Sequence, residues 1–263
     1  MAGLGFSVPY NNDPKTLDAL LAMRGRTGNV IREVYLAVPE EVVGSGRVGA
    51  TVSVEDFLGT VKRIHAADVR VDMVMNSTCD GSDWYDDTTV QRQVGFVRSM
   101  YEEQGVEAVT LANPFFIERV RADCPDMEIS ASVLADIDCF SRAEVYARAG
   151  ANVMTVEVSI NRDLELLRQI SQGLGVELKL MVNEGCLNKC PYRKFHMNLI
   201  SHRSKTACDE GTSFSFACGE ITKDDPGQIF KSNWIRPEDL RRYAGITSFF
   251  KIVGRDMLES KVL

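Results

Sequence analysis

The sequence predicts an α/β fold, a (β/α)8 TIM-like barrel, and three observations carry that expectation. Apolar, β-rich runs alternate with amphipathic helical patterns along the chain. Strands alternating with helices imply right-handed crossovers and a parallel sheet. Eight such units fit into 263 residues, the ordinary scale of this barrel. An open, doubly wound sheet is the rival. A dinucleotide-binding sheet of that kind carries a glycine-rich turn after its first strand, whereas here the first strand runs into Pro9-Tyr10-Asn11-Asn12.

The predicted strands cover residues 4–9, 30–38, 69–75, 107–111, 128–134, 153–158, 176–182 and 249–253. Asp13-Pro14 opens the first helix with an N-cap and a first-turn proline, and Leu17, Leu20 and Leu21 give it a buried face. Further helices are expected over 54–67, 88–104, from Asn113-Pro114 to about 123, over 141–149 and 163–172, and from Pro237-Glu238-Asp239 onward. Residues 1–263 read as one barrel domain. Residues 185–233 are too long for an ordinary strand-to-helix loop and show little periodicity, so they read as a functional, cysteine-rich insertion. The eighth helix is missing or reduced to 257–262. A protein partner or a second copy of the chain would then cover that C-terminal edge.

Composition narrows the function classes. The net charge of −7 argues against broad, nonspecific nucleic-acid binding. Residues 1–13 lack a basic start and a long apolar run, so no signal peptide is expected. No run approaches the length of a membrane span. Seven cysteines, an odd number without a secretion signal, suggest reduced thiols and a cytoplasmic setting.

Four of those cysteines fall in the insertion: Cys186 and Cys190 as C-x3-C, then Cys208 and Cys218. Four thiolates can close a tetrahedral shell around zinc or hold an iron–sulfur cluster. Zinc sites prefer two short, matched knuckles. The nine residues between Cys208 and Cys218 make a poor knuckle, which favours a cluster and keeps zinc as the alternative. Four buried, inert thiols are the bland possibility. The C-x3-C-x2-C pattern of radical S-adenosylmethionine enzymes fails, because Arg193 stands at its third position. Cys124 and Cys139 read as structural. Cys79, after the third strand, is a nucleophile, a spare ligand or an ordinary loop thiol.

Catalytic groups of such barrels collect at strand C-terminal ends, which here offer Asn11, Glu40, Asn76, Asn113, Ser132, Glu157, Glu184 and Arg255. Glu157 sits in an apolar strand. Burial would suit it to proton transfer, or Lys251 or Arg255 would pair with it. Glu184 either acts on substrate or bonds the backbone of the cysteine loop. Arg193, His196 and His202 could bind an anionic substrate or donate to cluster sulfurs, or could form a solvated loop. Neither His-Glu-x-x-His nor Gly-x-Ser-x-Gly occurs, which weighs against conventional hydrolysis.

Glu184-Gly185-Cys186, then Cys190 and the spaced cysteines, resemble the peptidase U32 family. Asn233-Trp234-Ile235-Arg236-Pro237-Glu238-Asp239-Leu240 and the final Phe250-Lys251-Ile252-Val253-Gly254-Arg255 reinforce the match. Asn113-Pro114 and Ser130-Ala131-Ser132 fit as well. The family has glutamate where this chain has Val253, and a longer spacing between its first two cysteines. The resemblance implies peptidase activity by name. It also implies, from several members, an oxygen-independent hydroxylation on a [4Fe–4S] cluster. Carried over by position, Cys186, Cys190, Cys208 and Cys218 would be the ligands. Glu157, Asn76, Glu184 and Arg255, read from the strand ends, would be the catalytic groups lining the pocket. The C-terminal domain of larger members is absent from this sequence, which disfavours an RNA substrate. A non-catalytic, cluster-bearing partner subunit is the remaining expectation.

Overall fold

The computed structural model describes residues 3–23, 30–39, 42–44, 46, 52–203 and 213–254. Eight parallel strands close into a barrel in sequence order. They are β1 (Gly5–Pro9), β2 (Val30–Ala37), β3 (Arg70–Met75), β4 (Ala108–Leu111), β5 (Glu128–Ala131), β6 (Val153–Met154), β7 (Glu177–Met181) and β8 (Phe249–Lys251). The crossovers carry α1 (Pro14–Ala22), α2 (Val54–Ala66), α3 (Asp87–Gln104), α4 (Pro114–Asp123), α5 (Phe140–Ala149) and α6 (Leu164–Leu174). The expected barrel is the fold observed.

Local chemistry starts these helices where the sequence says it should. Side chains of Asp13, Ser53, Asp86, Asn113 and Asp163 each accept backbone N–H groups of the first turn. Those donors have no partner within the helix itself. Inward residues then recur at helical spacing, as Phe57, Val61 and Ile64 do in α2. Arg121 fixes another crossover: its guanidinium donates to the Gly150 carbonyl at 2.8 and 3.0 Å. Gly150 has φ +112°, and a Cβ there would stand 2.7 Å from Arg121 Cγ, so only glycine fits. Among the described residues, no helix is long and apolar enough to cross a membrane.

The N-terminal rim of the barrel is clasped by ion pairs. Arg32 grips Glu177 with two bonds of 2.6 and 2.7 Å and stacks on Phe249, and Arg70 holds Glu128 at 2.8 Å. The axis holds a stranger set. Lys179 Nζ lies 2.6 Å from Glu33 and 3.0 Å from Asp72, all three without solvent exposure. Ser7 donates to Glu33 at 2.6 Å, and Thr110 donates to Asp72. Burial opposes the charge on Lys179, but Asp72 and Glu33 outweigh it and hold the ammonium above its ordinary range. Burial pushes Glu33 up against the pull of Lys179. Burial also pushes Asp72 up, yet Lys179, Lys251 and Thr110 together bring it below its ordinary range.

Several expectations need correction. β5 and β6 stop short of 134 and 158, because Ser132 and Glu157 cap tight turns over Val133–Ala135 and Val158–Ile160. Residues from Pro237 to Tyr243 form a 3₁₀ helix rather than an α-helix. The insertion is no loop: it contains α7 (Arg193–Arg203), α8 (Ser213–Asp224) and α9 (Gly227–Lys231). Its periodicity was hidden because the inward face of α7 is largely polar. The expected segment 257–262 lies outside the described residues.

Removing the lysine leaves two buried carboxylates without their counter-ion, and breaking a buried pair in this way costs about 3–5 kcal/mol. Lys179→Met is therefore expected to lose about that much stability in urea unfolding. Adding Glu33→Gln and Asp72→Asn should return part of it. Unchanged stability in the single variant would refute the axial ion network as the barrel's central constraint.

Candidate active site at the barrel mouth

α7 lies across the C-terminal mouth. Arg193, Met197 and Ser201 recur at four-residue spacing and are buried. Ser201 Oγ accepts the Thr78 backbone N–H at 3.0 Å, which ties α7 to the loop after β3. Arg193 sits between two carboxylates, 3.9 Å from Glu157 and 3.6 Å from Glu184. It is 7% exposed, and none of its three side-chain nitrogens has a hydrogen-bond partner. Each buried donor left unsatisfied costs about 1–3 kcal/mol. Burial opposes the charge of Arg193, but Glu184, Cys186, Glu157 and Asp136 together raise its pKa above the usual value.

Glu157 and Glu184 are thus brought together by Arg193, as the sequence could not show. The expected pairing of Glu157 with Lys251 is not found: Lys251 Nζ lies over the Tyr35 ring, 3.7 Å from its centre. Glu157 Oε2 also accepts the Ser159 backbone N–H at 2.7 Å, so one oxygen serves the turn and the other faces Arg193. Asn76 donates to Ser132 Oγ at 3.0 Å and accepts from Gly46 N at 3.2 Å. Arg255 and Glu40 lie outside the described residues.

Two cavities open here. Beneath α7 lies one of about 440 Å³, lined by Thr78, Asn113, Asp136, Tyr146, Arg193 and Asn198 among others. Its volume suits a small molecule. Asp136 was not singled out from the sequence. Its backbone is left-handed at φ +51°, and burial pushes its carboxyl up. On the barrel axis, a cavity of about 40 Å³ is lined by Tyr35, Asn76, Ser132, Thr155 and Lys251. Lys251 was expected only as an ion partner, though a lone lysine after Phe249-Phe250 was the available signal.

The two histidines separate. Residues six apart on a helix point about 120° apart, and His202 meets an expected site residue: its Nδ1 lies 3.5 Å from Cys79 Sγ. Cys186, Cys190 and Cys218 are half-buried and free of disulfides, whereas Cys208 lies outside the described residues. The donor chemistry suits a thiolate-held metal centre, and the unbonded Arg193 beside Cys186 suits an anionic one. The described residues alone do not close a shell: no three His, Cys, Asp or Glu side chains among them converge on one point.

Comparison with known proteins supplies the family. The model for peptidase family U32 matches residues 22–256. A protein of Methanocaldococcus jannaschii, described as an uncharacterized protease, is 30% identical over 227 residues, which is 85% of this chain and 67% of that protein. A solved structure of a U32 peptidase aligns with a TM-score of 0.69 at 18% identity, covering 95% of this chain and 92% of the other. A thermostable xylanase mutant from Cellvibrio japonicus aligns at 0.51 with 12% identity, covering 96% and 86%. At these identities the two structures speak for the barrel fold alone. With its family model matched over most of its length, the chain belongs to peptidase family U32.

Proposed function

We propose that this chain is an enzyme that performs an oxygen-independent hydroxylation or a related redox modification at the mouth of its barrel. One observation carries the reading: Arg193 is buried and charged, and its donors are unused although two carboxylates stand nearby. Such a guanidinium favours an additional anionic group in its surroundings. Cys186 is near enough to be felt by Arg193 electrostatically. Cys186, Cys190, Cys208 and Cys218 would hold a [4Fe–4S] cluster, which supplies one-electron transfer when bound. Glu157 and Glu184 would hold or release a proton beside Arg193. The cavity beneath α7 leaves room for a substrate, which favours an enzyme over a purely scaffolding partner subunit.

Peptide hydrolysis is the second reading, and the 3.5 Å contact between Cys79 and His202 favours it. An imidazole in reach of a thiol can take its proton and leave a thiolate nucleophile. The description of the Methanocaldococcus jannaschii relative as a protease points the same way.

Metal analysis after anaerobic purification separates the two. The redox reading expects about four irons and four sulfides per chain, with broad absorption that Cys186→Ala and Cys190→Ala each remove. One zinc and no iron would end it. The hydrolytic reading expects cleavage of a fluorogenic peptide library that Cys79→Ala abolishes. Equal cleavage by the variant, or none by the unmodified chain, would end that one.

A further inference from the structure

We infer that the cavity beneath α7 recognises a protonated amine on an aromatic ligand, with the Asp136 carboxylate as its counter-ion and Trp84 and Tyr85 as its aromatic wall. The inference rests on the reading of the barrel mouth as an active site, and deepens it by naming the class of molecule that the mouth admits.

Three observations converge on Asp136. It lines this cavity of about 440 Å³, a volume that suits a small molecule. Its carboxylate takes part in no hydrogen bond or ion pair among the described residues; the Arg142 guanidinium donates to its backbone carbonyl instead. The residue is half-buried, yet neither carboxylate oxygen is covered, so the unpaired charge keeps an accessible face. A half-buried carboxylate without a partner favours a cationic donor brought by a ligand. Its backbone is left-handed at φ +51°, a conformation that aspartate and asparagine adopt more readily than other residues with a side chain.

The walls select the rest of the ligand. Trp84 and Tyr85, on the 3₁₀ turn Asp83–Tyr85 after β3, line the cavity together with Tyr146 and Pro114. Aromatic faces attract an ammonium through their π-electrons and stack on a planar ring. The Asp136 charge is felt at the Tyr146 phenol, whose hydroxyl donates to the Ala112 carbonyl at 2.8 Å. Two cations border the same space. Arg193 stands 3.6 and 3.9 Å from Glu184 and Glu157, and its nitrogens are covered, so it offers no accessible donor to the cavity. Lys194 is exposed and forms no ion pair among the described residues, so water screens its charge. Burial pushes the Asp136 carboxyl up, Arg193 and Lys194 oppose the rise, and a ligand ammonium in contact would favour the ionised form further.

Calorimetric titration of the full chain, purified anaerobically, with benzylamine, benzyl alcohol and benzoate tests this without any turnover. Benzylamine, protonated at neutral pH, should bind at least about tenfold tighter than benzyl alcohol, its neutral isostere, and tighter than benzoate. Asp136→Asn should erase that preference while leaving the unliganded melting temperature unchanged, since asparagine also adopts the left-handed backbone and the carboxylate has no internal bond to lose. Trp84→Ala should weaken benzylamine binding several-fold. No binding of benzylamine, equal affinity for benzylamine and benzyl alcohol, tighter binding of benzoate, an undiminished preference in Asp136→Asn, or unchanged benzylamine binding in Trp84→Ala would each overturn the inference. Iron content and peptide cleavage do not enter these outcomes, so a failure here leaves the redox and hydrolytic readings to their own tests.

Discussion

The buried contact of Lys179 with Glu33 and Asp72 is the constraint around which the barrel closes. Three ions without solvent contact are costly to desolvate, and each is tolerable only while the other two are in place. The three come from β7, β2 and β3, strands on opposite sides of the ring. Satisfying them requires closure: an open sheet would leave β7 far from β2 and β3, with the lysine unpaired. Ser7 from β1 donates to the same Glu33 Oε1 that Lys179 holds, and Thr110 from β4 donates to Asp72, so five strands share one network. The network contributes specificity of closure more than net stability. The apolar bulk around it, including Phe249, Phe250 and Ile129, supplies the driving force.

That filled axis places everything reactive above it. The lower barrel is occupied by ions and large apolar side chains, and the axial cavity and the one beneath α7 both lie toward the strand C-terminal ends. The β7–β8 insertion makes the second of these spaces. Its cysteines mark it out in the sequence, but its structural contribution is α7, which carries Arg193 down onto Glu157 and Glu184. The same helix carries His202 to Cys79. One element therefore connects the ends of β3, β6 and β7, and a small shift of it would move a guanidinium, an imidazole and a hydroxyl together.

Legibility in the sequence followed physical range. Barrel strands and capped helices were readable because alternation and capping are local: Asp13-Pro14 and Asn113-Pro114 announce their helices in two residues. β6 was overextended because Glu157 reads as one more strand residue, while its carboxylate in fact caps a turn. α7 was unreadable as a helix because Arg193 and Ser201 occupy inward positions where hydrophobic periodicity needs apolar residues. Of the site, Glu157, Glu184 and Arg193 were each identifiable, but their meeting depends on a crossover of the fold. Glu33, Asp72 and Lys179 each share a strand with a second charge, Arg32, Arg70 and Glu177, so the local pattern did not mark them as an internal ion network. Asp136 gave less signal, since its role comes from a left-handed backbone position that local sequence does not specify.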